Sequence, residues 1–401
     1  MSSAESVSVF LNDTPFSRAP SAGLDAYAPA ELARAQAFHR TLPGHAPTSL
    51  LRLERLAAHL GVRRIDVKDE SPRFGLKAFK ALGAAYAMAR VLAERLGLAE
   101  DELSFAALTD AAARARLGAA GPMVFATATD GNHGRAVAWM ARQLGQQAVV
   151  YLPQGASPER LAAIRAEGAK AEIVDMNYDA AVRLAARHAD ERGWALVQDT
   201  AWEGYATIPR WIVQGYGTLV RECLQQLEGE RPTHVFIQAG VGSLAGAVQG
   251  ALVAAFGAEA PRVIVAEARA ADCLYRSACA GSGAPLAVGG DLATLMAGLA
   301  CGEANPDTWP VLRDHAAAFA SCTDALAMRG MRIYGNPLPG DPVVRAGESG
   351  AVTLGLLAEL MQAPQHATTR TALGLDATAR VLLVNTEGDT DPQRYLDIVW
   401  G

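Results

Sequence analysis

Met123-Val-Phe-Ala-Thr-Ala-Thr-Asp-Gly-Asn-His-Gly134 reads as a buried strand ending in a glycine-rich turn, and apolar residues at helical spacing follow it as far as Gln143. A strand, a tight turn and a helix start aim backbone N–H groups and short polar side chains at a ligand from the carboxyl end of a parallel sheet. The pattern then recurs: 147–152 as strand, 158–167 as helix, 171–176 as strand, 178–192 as helix and 194–198 as strand. Alternating strands and helices predict an α/β fold of mainly parallel sheets flanked by helices, joined by right-handed crossovers.

Further strands are predicted downstream at 233–238, 262–268 and 380–385. The first runs into Ala239-Gly-Val-Gly-Ser-Leu-Ala-Gly246 and a helix to about 256, and the last ends in Asn385-Thr-Glu-Gly-Asp-Thr-Asp391. Upstream, residues 1 to about 30 read as an extended lead-in on the surface, with helices at 29–40 and 49–59 and a strand at 64–69. A long amphipathic helix is expected over 78–96, with Leu82, Ala85, Ala89 and Leu92 on one face. Residues 98–121 show no strong pattern. No repeat or low-complexity linker separates the halves, and a small α/β domain of 83–204 is expected, inserted into a larger one of 1–82 and 205–401.

Composition bounds the function. Half of the 401 residues are hydrophobic, enough for a large core, and the net charge of -6 offers no basic surface for nucleic acid. No apolar run approaches membrane-spanning length and the start lacks a signal-peptide pattern, so a cytoplasmic protein without a membrane partner is expected. Five cysteines without CxxC spacing signal neither a disulfide framework nor a metal site.

The chemistry is read from the turns. Phe74-Gly-Leu-Lys-Ala-Phe-Lys-Ala-Leu-Gly83 places two lysines at the opening of a helix. A lysine flanked by Phe79, Leu82 and Ala84 is expected to be partly desolvated, which favours the free amine that a Schiff base needs; an ordinary solvated lysine is the alternative. The glycines of 240–246 let a backbone approach an anion at a helix start, or mark a dinucleotide turn that lacks its third glycine. Asp199-Thr-Ala-Trp-Glu-Gly-Tyr205 is a polar and aromatic run suited to substrate contact.

Taken together and in order, Phe79-Lys80, Asp-Gly-Asn-His-Gly after a strand, Gly-Val-Gly-Ser-Leu and a final strand ending in a hydroxyl residue resemble the fold-type II pyridoxal phosphate enzymes, which are tryptophan synthase beta-like. Ala128-Thr-Asp-Gly-Asn-His-Gly-Arg135, Gln198-Asp-Thr-Ala-Trp-Glu-Gly-Tyr205, Met296-Ala-Gly-Leu-Ala-Cys-Gly-Glu303 and Thr386-Glu-Gly-Asp-Thr-Asp391 resemble the diaminopropionate ammonia-lyases, from about residue 35 to the C-terminus. The resemblance implies pyridoxal 5'-phosphate as cofactor, a small amino-acid substrate and a homodimer. It implies that Lys80 rather than Lys77 holds the cofactor and that Asn132 meets its phenolic oxygen. Gly240, Val241, Gly242, Ser243 and Leu244 would enclose the phosphate, and Thr386 would face the ring nitrogen. Asp130 and Lys80 are the implied bases for D- and L-substrates, while Asp199 and Tyr178 lie near a distal amine; His133 holds the loop. Cys273 and Cys301 match positions that can pair in the family, with two reduced thiols as the alternative. The expected reaction is α,β-elimination of 2,3-diaminopropionate to pyruvate and two ammonia. A serine or threonine dehydratase of the same fold, and a nicotinamide- or ligand-binding protein, are the other readings.

Overall fold

The computed structural model describes residues 6–12, 23–118 and 121–401. Two compact units are present: one comprises the described residues of Met1–Asp25, Pro47–Pro72 and Leu219–Gly401, the other Ala26–Ala46 and Arg73–Thr218. Residues 26–46, 73–82 and 205–218, which the sequence reading placed in the larger domain, pack within the second unit.

The strands in chain order are β1 (Val7–Leu11), β2 (Leu50–Arg52), β3 (Arg64–Asp69), β4 (Val124–Ala128), β5 (Gln147–Leu152), β6 (Lys170–Ile173), β7 (Ala195–Leu196), β8 (His234–Gln238), β9 (Arg262–Ala268), β10 (Ala318–Cys322) and β11 (Arg380–Asn385). In the first unit, seven strands form one sheet in the order β1-β10-β9-β8-β11-β3-β2. Its interior pairs are parallel and its two edge strands antiparallel. The aliphatic runs that predicted these strands are buried on both faces, with Ile65, Val67, Phe236, Ile264 and Leu383 in one core with Leu354 of the helix Glu348–Gln362. In the second unit, β6-β5-β4-β7 are all parallel.

Both sheets share a topological feature that places chemistry. From β8 the chain steps to β9 and β10 on one side, while β11 returns on the other; from β4 it steps to β5 and β6, while β7 returns opposite. Connections diverge at such points, which opens space beyond the carboxyl ends of the neighbouring strands. The turns after β4, β7, β8 and β11 carry Asp130, Asp199, Gly240 and Thr386.

Three expectations change. The lead-in contains a strand, because Val7 to Leu11 pair antiparallel with β10 and Val7 is buried, although 1–5 and 13–22 lie outside the described residues. The helix expected over 49–59 is β2 followed by a helix at Glu54–Leu60, since Leu50 and Leu51 pair with Lys68 and Val67. Residues 98–121, without pattern in sequence, hold short helices at Phe105–Thr109 and Ala111–Gly118. Among the described residues no helix is long and apolar enough to cross a membrane.

Candidate active site

The unit that contains the four-stranded sheet holds the titratable cluster. Ahead of Lys80 the backbone is strained: Phe74 and Lys77 have φ of 51° and 61°, a region that side-chain-bearing residues rarely adopt. The turn is held by the Phe74 ring on Trp139, 4.9 Å between centroids, and by Arg135 Nη1 donating to the Leu76 carbonyl at 3.2 Å. The helix Ala81–Leu96 follows at once and stops at Gly97, whose φ of 65° suits a residue without Cβ.

Lys80 Nζ donates to Asp199 Oδ2 in an ion pair whose side chains are 17% and 5% exposed. Burial is the largest single influence and works against the ammonium, but Asp199, with Tyr216 and Asp130 adding to it, outweighs burial and holds Lys80 above the usual lysine range. Burial likewise opposes the Asp199 carboxylate, and the Lys80 charge pulls it below the usual carboxylate range. The expectation of an amine freed by desolvation is thus reversed: an unseen counter-charge, 119 residues away, keeps the proton on.

Asp199 is aimed by its neighbours. Gln198 Nε2 donates to the Ala128 carbonyl at 3.1 Å and to the Tyr178 hydroxyl at 3.0 Å, while its Oε1 accepts from Ala128 N and Thr127 Oγ1, both at 3.0 Å. One amide therefore ties the ends of β4 and β7 together and sets Tyr178, whose hydroxyl is 3.4 Å from Asp199 Oδ1. Tyr205 serves the loop itself: its hydroxyl accepts from Gln198 N at 2.8 Å and donates to the Leu196 carbonyl at 3.0 Å, with its ring stacked on Trp202.

The turn after β4 is fixed by Thr129 Oγ1, which accepts from Gly131 N and Gly134 N at 2.9 and 3.0 Å. Gly131 has φ of 151°, and a Cβ there would lie 2.9 Å from Arg160 Cδ. That close approach lets Arg160, buried on the helix Pro158–Ala166, reach the Asp130 carbonyl at 3.3 Å and Oδ2 at 3.4 Å. Asn132 opens the helix Asn132–Gln143, and the neighbouring His133 donates Nε2–H to the Val197 carbonyl at 2.8 Å. Burial lowers the His133 pKa and so disfavours the imidazolium. The charge of Asp130 is felt at Lys80, so this unit brings Lys80, Asp130, Asp199 and Tyr178 together.

The turns of the seven-stranded unit carry mainly neutral groups. After β8, Gly242 adopts φ of 97° and the helix Ser243–Phe256 begins, whose first amides lack intrahelical acceptors and favour an anion. A Cβ at Gly240 would lie 3.1 Å from Cys301 Sγ and 3.2 Å from the Gly298 carbonyl, so the loop lies flat against 298–301. Asn305 locks it by donating from N to the Val241 carbonyl at 2.7 Å and from Nδ2 to Ser243 Oγ at 2.9 Å. Cys273 and Cys301 are buried thiols with no bridge between them. Beside the loop, Gln238 Nε2 donates to Thr386 Oγ1 at 2.6 Å and to the Val384 carbonyl at 3.2 Å. The carbonyl fixes the amide's orientation, so Thr386 receives a hydrogen bond there and keeps its own proton to donate elsewhere.

One unit thus offers an amine at Lys80, and the other offers a helix start suited to an anion and a hydroxyl donor at Thr386. Arg160, Gln198, Gln238 and Asn305 were missed by sequence reasoning. Gln198 alone had a signal, its place beside Asp199 in the quoted string.

Residues 41–371 match the family model described as pyridoxal-phosphate dependent enzyme. The diaminopropionate ammonia-lyase of Escherichia coli (strain K12) is 48% identical over 397 residues, covering 98% of this chain and 97% of that one. Two solved structures of the Escherichia coli enzyme, in complex with an aminoacrylate-PLP azomethine reaction intermediate and with D-serine, match with TM-scores of 0.88 and 0.89 at 45% and 46% identity. Each match covers 98% of this chain and 97% of that chain. By the family model over residues 41–371 and by 48% identity over nearly its full length, the chain belongs to the pyridoxal-phosphate dependent enzymes and, within them, to the diaminopropionate ammonia-lyase family.

Proposed function

We propose that this chain eliminates the β-amine from 2,3-diaminopropionate, of D or L configuration, giving pyruvate and two ammonia. The observation that best supports it is the buried Asp199 carboxylate, held charged between Lys80, Tyr178 and Gln198. A distal ammonium on the substrate calls for such a group, and a β-hydroxyl does not.

In this reading Lys80 holds the cofactor, Asn132 meets its phenolic oxygen, Gly240, Val241, Gly242, Ser243 and Leu244 hold its phosphate, and Thr386 donates to its ring nitrogen. When bound, pyridoxal phosphate supplies a carbonyl carbon for an amine and a ring that draws electrons from the Cα–H bond. Asp199 takes the distal ammonium and so gives up part of its hold on the Lys80 proton. Burial, the largest influence on Lys80, then favours the amine. Lys80 Nζ accepts the Cα proton of the L-isomer, and Asp130, held in place by Arg160, accepts that of the D-isomer. The Cβ–N bond breaks, and water replaces the remaining nitrogen at Cα. One diaminopropionate and one water therefore balance one pyruvate and two ammonia.

A dehydratase acting on serine or threonine is the second reading, favoured by the D-serine complex of the Escherichia coli enzyme. Pyruvate release from D- and L-2,3-diaminopropionate and D- and L-serine, with 2-oxobutyrate release from L-threonine, separates the two when measured on the purified holoenzyme. Higher kcat/KM for diaminopropionate is expected; higher values for a hydroxy amino acid would replace the first reading with the second. The same reading makes the protein a cytoplasmic homodimer, which light scattering would test through a mass near twice 42.0 kDa.

A further inference from the structure

The helices Ala81–Leu96 and Thr207–Gln226 cross at two glycines. A Cβ on Gly83 would lie 2.5 Å from Tyr216 Cε1 and 2.8 Å from Tyr216 Cζ, and one on Gly215 would lie 2.5 Å from the Leu82 carbonyl oxygen and 2.9 Å from Gly83 Cα. The backbones therefore touch without intervening side chains, an approach that only glycine permits. His39, fully buried on the helix Pro29–Arg40, straps the crossing by donating Nε2–H to the Leu82 carbonyl and accepting at Nδ1 from Thr218 Oγ1, each at 2.8 Å.

This crossing delivers the Tyr216 ring to Phe79, 4.8 Å between centroids, and Lys80 Nζ lies 5.3 Å from the centre of the same Phe79 ring. Tyr216 is fully buried, and its hydroxyl has no well-aligned hydrogen bond among the described residues. It is nonetheless close enough to Lys80 for the two groups to influence each other, and burial keeps the phenol neutral well above physiological pH. A neutral hydroxyl accepts from an ammonium and donates to an amine, whereas the Asp199 carboxylate can only accept.

We propose that Tyr216 is a positioning residue for Lys80, placed by the Gly83/Gly215 crossing to hold Nζ whether it is charged or neutral. The inference rests on Lys80 being the cofactor lysine. Tyr216 takes over when Asp199 turns to a substrate ammonium, and it keeps the amine aimed instead of letting it swing free.

Tyr216→Phe keeps the ring on Phe79 and removes only the hydroxyl. In the apoenzyme Asp199 already holds Nζ and the hydroxyl meets Lys80 without a well-aligned hydrogen bond, so its removal should leave the melting temperature close to the wild-type value. In the holoenzyme the pH midpoint of the visible Schiff-base band should move by about one unit, from loss of a hydrogen bond worth on the order of a tenfold change in equilibrium. Turnover of the L-isomer should fall roughly tenfold more than that of the D-isomer, with the larger part in kcat. A lowered melting temperature or failure to fold would make the hydroxyl structural and overturn the proposal. An unchanged pH midpoint with an unchanged L:D ratio would overturn it equally. Borohydride reduction and peptide mapping of the wild type check the underlying reading separately: a label on a lysine other than Lys80 sinks that reading, whatever Tyr216→Phe does.

Discussion

The two units hold the residues of their divergence turns by opposite means. At the divergence of β4 and β7, five charged or titratable side chains, Lys80, Asp130, His133, Arg160 and Asp199, are packed close together with little solvent between them. At the divergence of β8 and β11, the residues assigned to the cofactor are glycines, Val241, Leu244 and two hydroxyls, positioned by Gln238 and Asn305. None of these side chains carries a group that titrates between about pH 5 and about pH 9. The contrast separates tasks: proton transfer needs groups whose charge can be moved, while holding a dianion and a pyridine nitrogen needs fixed dipoles that do not compete for protons.

The most severe way to break this contrast is to remove the amine. Lys80→Ala should bind pyridoxal phosphate through the neutral loop with no covalent bond, and lose turnover of L-substrates by about three orders of magnitude or more. Borohydride-resistant colour with retained cofactor after gel filtration would show the two functions separated. Loss of all cofactor binding would show that the loop does not hold it alone.

Asp130→Asn comes next. The amide keeps the turn made by Thr129 and Gly131 but cannot accept a Cα proton, so the D-isomer should slow by ~10²- to 10⁴-fold while part of the L-activity survives. Initial rates of pyruvate release decide it. Equal slowing of both isomers would assign Asp130 to a shared step and would end the division into two bases.

How far this was legible in the chain follows from where each contact originates. The strands at 147–152, 262–268 and 380–385 were readable because buried aliphatic runs mark them directly. β10, Ala-Phe-Ala-Ser-Cys, was not, since its small residues carry little signal and its strand state comes from β9 and β1 on either side. The motif residues Lys80, Asp130, Asn132 and Thr386 sit in turns with local signatures. Arg160, Gln238 and Tyr216 act on residues 30, 148 and 136 positions away, respectively, and only packing brings them there. The charge state of Lys80 belongs to the same class, because the flanking apolar residues argued for an amine and the distant Asp199 decides for an ammonium.

A smaller effect sharpens the neutral side. Ser243 Oγ accepts from Asn305 Nδ2, which fixes the hydroxyl at the start of the helix Ser243–Phe256. Ser243→Ala should weaken pyridoxal phosphate binding roughly tenfold, as for one hydrogen bond to a charged group. Titration of apoenzyme by cofactor fluorescence should give the same ratio at about pH 7.5 and about pH 9, where phosphate is fully ionised. A ratio that changes over that interval would reveal a titrating group at the loop and erase the distinction between the units.

The least effect is expected in the stability of the apoenzyme, and it tests whether the Lys80–Asp199 pair is charged across the working range. Asp199 is depressed in the folded chain, so its contribution is full above the unfolded carboxylate value of about 3.9 and fades as pH falls through the folded value. Lys80 is raised, so its contribution is full below the unfolded lysine value of about 10.4 and fades as pH rises through the folded one. Asp199→Asn removes the carboxylate and leaves a buried ammonium with less support. The melting-temperature gap between wild-type and Asp199→Asn apoenzyme should therefore be a few degrees and flat from about pH 5 to about pH 9, narrowing only outside that window. Scanning calorimetry at five pH values measures it. A gap that closed inside that window would instead place a group titrating there in control of the pair. The ion pair would then be a pH switch and not a standing charge for a substrate amine to displace.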